Sequence, residues 1–296
     1  MRPADLGTEF RPLSELLPLL RSGLQRAGQL SLIAPDPDSG AGLYAGELTL
    51  AGRHRSYATW ADIADVLGAR LGTPERRDGG RVRLALHRLP PLDRQAEYGE
   101  GSDFQRLDKL EDPWFLHGFT EALTRVKLHP GARILSAGVG SGRELDALEI
   151  AYPDQKFGVV GLDIDAGVLE LARQRHAGKG WTFQIGDVNA LDAELGRFDL
   201  IIALSVLQSR NVNLERSLRG LMRDHLTPTG SLILGFPNCR YAGGEVRYGA
   251  RMLNFRDPDL SLLLADVALV RRHLHKSGFK VYVTGKYEVL VTAVPV

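Results

Sequence analysis

RILSAGVGSG, residues 133–142, is the stretch that decides the fold of this 296-residue chain. Its first half, RILSA, is short and apolar and predicts a buried strand. The second half holds Gly138, Gly140 and Gly142, which let the chain turn sharply and let a ligand touch bare backbone. A helical pattern follows from Gly142, and a helix that begins there offers free N–H groups and a partial positive charge. The stretch therefore predicts a strand, a glycine turn and a helix that together suit an anionic group.

The spacing of the three glycines separates this turn from other ligand-binding and catalytic turns. A dinucleotide fingerprint reads G-x-G-x-x-G, but here the third glycine comes one residue early and position 143 is Arg143. The phosphate loop G-x-x-x-x-G-K-[ST] is absent, and Ser141 is not framed as the G-x-S-x-G of a serine hydrolase. The spacing thus speaks against a nicotinamide dehydrogenase, a phosphate-loop enzyme and a serine hydrolase.

Strands and helices alternate on the carboxyl side of the turn. Apolar strands that alternate with amphipathic helices predict a parallel sheet covered on both faces. The last two strands are joined only by residues 284–287 and must be antiparallel. The predicted strands are 157–162, 182–185, 198–204, 231–236, 280–283 and 288–292, and the predicted helices are 113–127, one from 142, one from 165, 214–226 and 260–275.

A shorter α+β pattern occupies the amino-terminal side. It predicts a helix over 13–24, strands over 46–51 and 81–87, and a helix that opens at Thr59. Leu89-Pro90-Pro91 breaks the pattern, and the polar residues that follow are weakly periodic. The predicted domains are a small α+β domain over 1–91, which is a candidate for substrate recognition, a linker or lid over 92–113, and an α/β domain over 114–296.

The glycine turn and three later features resemble the class I S-adenosylmethionine-dependent methyltransferases. The form G-x-G-x-G is similar to motif I of that family, Asp163 ends the second strand, and Gly186-Asp187-Val188 follows the third strand. Phe198-Asp199 is similar to the family's fourth strand. The resemblance covers residues 114–296 and implies an α/β fold, a Rossmann-like, seven-stranded methyltransferase sheet with helices on both faces.

The resemblance also implies the cofactor S-adenosylmethionine and the product S-adenosylhomocysteine. In the family the strand-end acid binds the ribose hydroxyls, and the acid of Gly-Asp accepts a hydrogen bond from the adenine amino group. Carried over residue by residue, the resemblance assigns cofactor binding to Gly138, Gly140, Gly142, Asp163, Ile164, Asp187 and Val188. No catalytic residue is assigned, because the sequence shows no dedicated general base.

One position departs from the family pattern. The family usually carries Asp or Glu two residues before the first glycine, near the amino group of the methionine moiety, but here that residue is Ser136. Glu144 is the nearby acid that can compensate for the missing carboxylate. A cofactor-binding sensor or regulatory protein without catalysis stays open as the alternative to a methyltransferase, because both would show the same order of strands and glycines.

The sequence does not identify the methyl acceptor. Asn238, Tyr241 and Tyr248 follow the fifth strand and are candidates for the acceptor pocket, and Tyr98, which precedes the domain, is a further candidate for this pocket or for a cover over the cofactor. A small molecule is the favoured acceptor. RNA is the second choice, because residues 51–95 hold nine Lys and Arg against five Asp and Glu. A solvated basic surface is the other interpretation of that bias.

Composition limits the partners and the compartment. The formal net charge of +1 argues against strong attraction of the whole molecule to phosphate backbones or anionic membranes. No run of about 18 or more apolar residues predicts a membrane span, and the single Cys239 favours a reducing compartment such as the cytoplasm. His273 and His275 stand two apart on a predicted helix and do not share a face, so no metal site is predicted.

Overall fold

The computed structural model describes residues 8–40, 42–89, 103–242, 245–248 and 260–296 of the chain. Contacts between Cα atoms divide the chain into two units, Met1–Leu92 and Asp93–Val296. Within the described residues, no helix combines the length and the apolar composition that a membrane crossing requires.

The first unit packs two helices against an antiparallel sheet. Its elements are α1 (Leu13–Ala27), β1 (Gln29–Pro35), β2 (Leu48–Thr49), β3 (Gly52–Arg53), α2 (Tyr57–Val66), β4 (Ala69–Leu71), β5 (Glu75–Arg77) and β6 (Arg81–Arg88). β6 pairs with β1, β4 and β5, while β2 and β3 form a separate hairpin. Alternate residues of β6 are buried with Trp60 in the core, and this period of two is what makes β6 recognisable in the sequence.

Two expectations for the first unit are wrong in their bounds. The strand predicted over 46–51 contributes only the two residues of β2, because the chain reverses directly after Thr49 into a tight hairpin with β3. Gly52 holds φ at 132° in this hairpin, a conformation that side chains rarely adopt. The helix predicted from Thr59 begins at Tyr57, because the Ser56 hydroxyl caps it by accepting a hydrogen bond from Thr59 N at 3.2 Å.

The second unit is an α/β fold built on a seven-stranded sheet with helices on both faces, which confirms the predicted fold class. Its elements are α3 (Asp103–Arg106), α4 (Pro113–Val126), β7 (Arg133–Ala137), α5 (Ala147–Ala151), β8 (Gly158–Asp163), α6 (Ala166–Arg175), β9 (Thr182–Ile185), β10 (Phe198–Leu204), α7 (Leu214–Gly220), β11 (Leu226–Pro237), β12 (Cys239–Ala242), β13 (Glu245–Tyr248), α8 (Leu260–Lys276), β14 (Phe279–Gly285) and β15 (Glu288–Pro295). The strand order is β14-β15-β11-β10-β7-β8-β9, and β15 is antiparallel to both of its neighbours. β12 and β13 form a separate hairpin.

Alternate residues of the central strands build a core on each face of the sheet. Ile134 of β7 joins the cluster on the face that α4, α5 and α6 cover, together with Phe119 of α4. The next residue, Leu135, belongs to the opposite cluster with Leu218 of α7 and Val270 of α8. Because both faces of β7 are buried, the strand reads in the sequence as a continuous apolar run.

Five parallel strands, β9, β8, β7, β10 and β11, end at one edge of the sheet. Ligands of open α/β sheets bind outside the carboxyl ends of the strands. The residues that follow those ends are far apart in the sequence but close in the fold: the glycine turn after β7, Ile164 after β8, Asp187 after β9, Ser205 after β10 and Asn238 after β11.

Two helices of the second unit differ from their predictions. The helix expected from Gly142 is a 3₁₀ turn, Arg143–Asp146, followed by the short α5. Gly142 holds φ at 73°, so helical geometry cannot include it, and the first bond, from Leu145 N to the Gly142 carbonyl, spans only three residues. The helix expected over 214–226 is α-helical only to Gly220 and closes with a π turn, Leu221–His225. Because only the five-residue helix α5 follows the glycine turn, the helix dipole predicted to act at that turn is weak.

Candidate functional site

Three glycines with positive φ form the turn after β7, and two of them also leave space for a neighbouring side chain. The φ angle is 68° at Gly138, 52° at Gly140 and 73° at Gly142. A Cβ atom at Gly138 would lie 2.1 Å from Val206 Cγ2, and one at Gly142 would lie 3.0 Å from His176 Nε2. A Cβ atom at Gly140 would meet no atom within 4 Å. The space over Gly140 is therefore open to a ligand.

His176 supports the glycine turn from the end of α6. Its buried ring lies against Trp181 and Phe183, with centroid separations of 4.6 and 5.7 Å. Its Nε2 donates a hydrogen bond to the Gly142 carbonyl at 2.8 Å. Burial lowers the pKa of His176, so the neutral ring with its proton on Nε2 holds the turn near neutral pH.

Asp163, at the end of β8, is joined to the glycine turn by a hydrogen bond. Its Oδ2 accepts from Gly140 N at 2.9 Å, and its Oδ1 accepts from Asp165 N at 3.1 Å. Asp165 itself caps α6 by accepting from Gly167 N at 2.8 Å. A carboxylate oxygen has two lone pairs, so each oxygen of Asp163 retains acceptor capacity for a hydroxyl group.

The loops after β8 and β9 lie side by side. Asp163 and Ile185 are register partners, and Gly186 N donates to the Asp163 carbonyl at 3.0 Å. Ile164 is 74% exposed directly beyond β8, and Val188 is half-buried in the next loop. An exposed isoleucine beside a fixed carboxylate offers an apolar surface next to a polar one.

Asn189 orients Asp187, and it is a residue that sequence reasoning missed. Asp187 Oδ1 accepts from the backbone N and from Nδ2 of Asn189, at 2.8 and 3.0 Å. The same Nδ2 donates to the Asn211 carbonyl at 2.9 Å, and Asn189 Oδ1 accepts from Asn213 N at 3.1 Å. Asp187 is exposed yet held in one orientation, and none of the hydrogen bonds within the described residues goes to its Oδ2.

All seven predicted cofactor residues thus follow or end three adjacent strands, β7, β8 and β9. The open space over Gly140, the free lone pairs of Asp163 and the exposed side chain of Ile164 fit a ligand that carries a hydroxylated ring and a flat apolar group. The structure therefore brings these residues together in an arrangement that suits a nucleoside.

A cleft adjoins the glycine turn, and the segment predicted as a linker or lid forms part of its wall. Ser136, Arg143 and Glu144 line this cleft together with Lys109 of the segment. The Leu107 carbonyl accepts a hydrogen bond from Arg143 Nη1. The 103–112 part of the segment is therefore attached to the turn that follows the glycines.

A buried ion pair attaches the same segment to the sheet. Lys109 Nζ lies 2.9 Å from Glu288 Oε2 and donates to Ser205 Oγ at 3.0 Å, and Ser205 Oγ donates to Glu288 Oε1 at 2.8 Å. Burial by itself would lower the pKa of Lys109, but the Glu288 and Glu144 carboxylates outweigh burial and raise it. Lys109 is therefore a permanent cation whose charge is matched by Glu288.

The backbone around this ion pair leaves room for the Glu288 carboxylate. A Cβ atom at Gly235 would lie 2.3 Å from Glu288 Oε1 and 2.8 Å from Leu204 Cδ2. Ser205 holds φ at 57°, which costs a residue other than glycine about 1–3 kcal/mol. Strain of this kind persists where surrounding bonds fix the residue, here the bond from Ser205 N to the Gly235 carbonyl at 2.9 Å and the two bonds of its hydroxyl.

The predicted acceptor residues fall in different surroundings. Asn238 is buried, and its Nδ2 donates to the Lys286 carbonyl at 2.9 Å. Tyr241 is half-buried on β12, and burial together with the neighbouring Cys239 and carboxylates raises its pKa. The backbone of Tyr248 pairs with Cys239, but its side chain lies outside the described part of the chain, as does all of Tyr98.

Cys239 follows Asn238 at the start of β12. Burial raises the pKa of its thiol to about 12, and the charge of Glu288 acts in the same direction. The thiolate is the nucleophilic form, so Cys239 stays an unreactive thiol near neutral pH. Among the described residues, no group of three or more His, Cys, Asp and Glu side chains is arranged to hold a metal ion.

Lys109, Ser205 and Glu288 are the other site residues that sequence reasoning missed. Lys109 and Glu288 are 179 residues apart, so no local spacing connects them. The one available signal is that the mostly apolar strand β15 begins with a charged residue, Glu288.

Part of this chain is similar in sequence to known proteins. Residues 134–230 match the family described as Methyltransferase domain. The trans-aconitate 2-methyltransferase of Methylobacterium nodulans is 31% identical over 141 residues, which are 45% of this chain and 52% of that protein. The chain therefore spans about half the length of this curated relative.

Solved structures are similar at lower identity. The CurJ carbon methyltransferase has a TM-score of 0.47 and 18% identity, and the similarity covers 65% of this chain and 58% of that chain. The magnesium protoporphyrin IX methyltransferase ChlM from Synechocystis PCC 6803 has a TM-score of 0.43 and 20% identity, over 69% of this chain and 89% of that chain.

Proposed function

We propose that this chain, whose residues 134–230 match the family described as Methyltransferase domain, is a class I S-adenosylmethionine-dependent methyltransferase that transfers a methyl group from S-adenosylmethionine to a small-molecule acceptor. S-adenosylhomocysteine would be the second product. The observation that carries the proposal is the hydrogen bond of 2.9 Å from Gly140 N to Asp163 Oδ2, which joins the open glycine turn to the strand-end carboxylate. A carboxylate fixed beside a turn with no side chain suits a ribose above the turn.

The residues of this chain would hold the donor at three points. Asp163 has lone pairs for the two ribose hydroxyls, and Ile164 offers its exposed side chain to the adenine ring. The free Oδ2 of Asp187 can accept from the adenine amino group, because Asn189 already occupies Oδ1. The backbone N–H of Val188 is the matching donor for a ring nitrogen.

When bound, S-adenosylmethionine supplies a methyl group already activated on a sulfonium sulfur. The protein then needs to align the acceptor with that methyl and to exclude water. The 103–112 segment is placed to do the second task, since Arg143 binds the Leu107 carbonyl and Lys109 is bonded to Glu288 and Ser205. Both attachments hold the segment beside the cleft.

The charges near the cleft support an amine or a hydroxyl as the acceptor group. Tyr241 is acted on electrostatically by the carboxylates of Asp112, Glu144 and Glu288. The positive charge of Lys109 is already balanced by its ion pair with Glu288. Arg143, which also lines the cleft, offsets the charge of Glu144, so Asp112 is the carboxylate left without a matching cation near Tyr241. A net negative charge there repels a phosphate or a polycarboxylate and favours a neutral or cationic acceptor. With its pKa raised, Tyr241 keeps its proton and serves as a hydrogen-bond donor.

Buried oxygens without partners point the same way. Asp112 Oδ2 and Asn238 Oδ1 are buried and have no hydrogen-bond partner among the described residues. Oxygens of this kind are satisfied by N–H or O–H donors. The name of the Methylobacterium nodulans relative refers to trans-aconitate, a tricarboxylate, and we propose a different acceptor chemistry for this chain.

Donor binding is tested by calorimetry with S-adenosylmethionine and S-adenosylhomocysteine. We expect both to bind, and Asp163→Asn to weaken both by about tenfold or more, because hydrogen bonds to a charged acceptor are lost. Asp199→Asn is the matched control, since Asp199 lies at the opposite end of β10 and accepts from Arg133 N at 2.9 Å. Absence of binding heat from the unmodified protein would overturn the proposal.

Transfer is tested with a radiolabelled methyl donor and a panel of acceptors. Small amines and alcohols form one group, and polycarboxylates, including trans-aconitate, form the other. We expect label only in the first group. Label confined to polycarboxylates contradicts the acceptor class, and donor binding without transfer to any acceptor favours a sensor or regulatory protein.

A further inference from the structure

The acid that the family usually places before the first glycine is Ser136 in this chain, and Ser136 is buried at the wall of the cleft. A hydroxyl carries no charge, so it cannot replace a carboxylate as a partner for an ammonium group. The structure offers another carboxylate in the same cleft. Glu144 lies in the 3₁₀ turn directly after Gly142, and it lines the cleft together with Ser136, Gly138 and Gly140.

The charge of Glu144 is not taken up by a close ion pair within the described residues. Lys109 acts on it electrostatically, but the Lys109 ammonium is bonded to Glu288 and Ser205. Glu144 is half-buried in the wall of the cleft, and burial raises the pKa of its carboxyl group. A carboxylate in that position gains from a cationic ligand.

The cleft offers one charge of each sign beyond the matched pair of Lys109 and Glu288. Arg143 lines the cleft next to Glu144, and its guanidinium is held by the Leu107 carbonyl. The amino-acid end of the donor is a zwitterion with one ammonium and one carboxylate. The two neighbouring side chains therefore complement both of its charges.

We propose that Glu144 binds the ammonium of the donor's amino-acid end and so takes over the task of the acid missing at position 136. The inference rests on the proposed function, because it concerns the same donor. It specifies a positioning residue: Glu144 touches the end of the donor away from the reacting methyl and fixes where that methyl stands.

Two ligands separate this role from general donor binding. S-adenosylhomocysteine carries the amino-acid end, and 5′-methylthioadenosine has the same adenosine and sulfur without it. We expect Glu144→Gln to weaken S-adenosylhomocysteine by about tenfold or more in calorimetry and to leave 5′-methylthioadenosine within about twofold. Asp163→Asn, which acts on the ribose, is expected to weaken both ligands.

Glu149→Gln is the matched control, because Glu149 is an exposed glutamate on α5 that pairs with Lys179 at 2.7 Å. It is expected to change neither affinity. Equal loss of both ligands in Glu144→Gln, or no loss of either, overturns the inference while donor binding stands. Failure of the unmodified protein to bind S-adenosylhomocysteine instead removes the proposed function itself.

Discussion

Single glycines in this site act through the space that they leave. Gly138 leaves room for Val206, Gly142 for His176 and Gly235 for the Glu288 carboxylate, while Gly140 leaves room that no protein atom fills. Side chains of the protein therefore occupy three of these four spaces. The fourth, over Gly140, is the one that belongs to a ligand.

Gly235→Ala tests the space beside Glu288. The new methyl group would lie 2.3 Å from Glu288 Oε1, so the carboxylate must leave its bonds with Ser205 and Lys109. Since breaking a buried ion pair leaves a charge without compensation, we expect a loss of about 3 kcal/mol in the free energy of unfolding, measured in urea.

Gly220→Ala is the control for that substitution. Gly220 ends α7 with helical φ and ψ, and a Cβ atom there would meet nothing within 4 Å. Alanine in a helix is expected to leave stability unchanged or to raise it by up to about 1 kcal/mol. If both variants lose stability equally, the space at Gly235 is not what Glu288 requires.

His176 makes stability depend on pH with a defined sign. Burial lowers its pKa in the folded state, with Lys179 and Arg175 acting in the same direction and the Gly142 carbonyl and Asp146 opposing. Below the ordinary pKa of 6.5 the unfolded chain therefore binds a proton at His176 more readily than the folded chain does. The free energy of unfolding consequently falls as the pH falls below that value. The slope reaches at most about 1.4 kcal/mol per pH unit for one proton.

The measurement is the free energy of unfolding between neutral pH and pH about 5, for the unmodified protein and for His176→Gln. We expect the variant to lose less stability over this interval, because it lacks the titrating ring. Parallel pH profiles for the two proteins would show that the ring does not resist protonation in the fold.

At the scale of elements, local patterns locate strands and helix starts alike: the helices predicted from Leu13, Pro113, Leu214 and Leu260 begin at those residues. The strands over 133–137, 182–185 and 198–204 also have the predicted bounds, because turn residues flank each of them. The helix expected from Gly142 is wrong because one backbone angle, φ at Gly142, depends on the glycine turn and not on the apolar period that follows it.

The same distinction, between local patterns and contacts set by the whole fold, separates the candidate site residues that the sequence predicts from those that it does not. Asp163 and Asp187 are predicted from the sequence because Asp163 ends one recognisable strand and Asp187 follows another. Lys109 is not, because a weakly periodic segment gives no sign of which side chain is buried, and its partner Glu288 is 179 residues away. Contacts of that kind follow from the order of strands in the sheet, which local patterns do not contain.

The ion pair of Lys109 and Glu288 is expected to attach the 103–112 segment to β10 and β15 as one unit. Lys109→Met leaves Glu288 as a buried charge, so we expect it to cost about 3–5 kcal/mol in urea unfolding. Glu288→Gln is the second single variant, and the double variant contains neither charge. Its loss should be smaller than the sum of the two single losses by about 1 kcal/mol or more. Additive losses would mean that the two side chains do not act together.

At the scale of the whole molecule, the arginines of the first unit are partly matched by acids. Arg77 lies 3.2 Å and Arg83 3.8 Å from Glu75, and Arg81 lies 3.8 Å from Glu9. Exposed pairs of this kind contribute little stability, but they reduce the field that a phosphate backbone would meet. This pairing supports a solvated basic surface over an RNA-binding face.

The division of the chain into two units leads to the last prediction. Every residue assigned to donor binding, Glu144 included, lies in the unit Asp93–Val296, as do the 103–112 segment and the buried ion pair. A chain of residues 93–296 is therefore expected to bind S-adenosylhomocysteine within about threefold of the full-length affinity, measured by calorimetry once circular dichroism shows that it is folded. A folded truncated chain whose affinity falls by about tenfold or more would place part of the donor site in Met1–Leu92. Loss of acceptor turnover with donor affinity intact would instead assign acceptor selection to that unit, since binding of the donor and recognition of the acceptor are separate contributions to the rate.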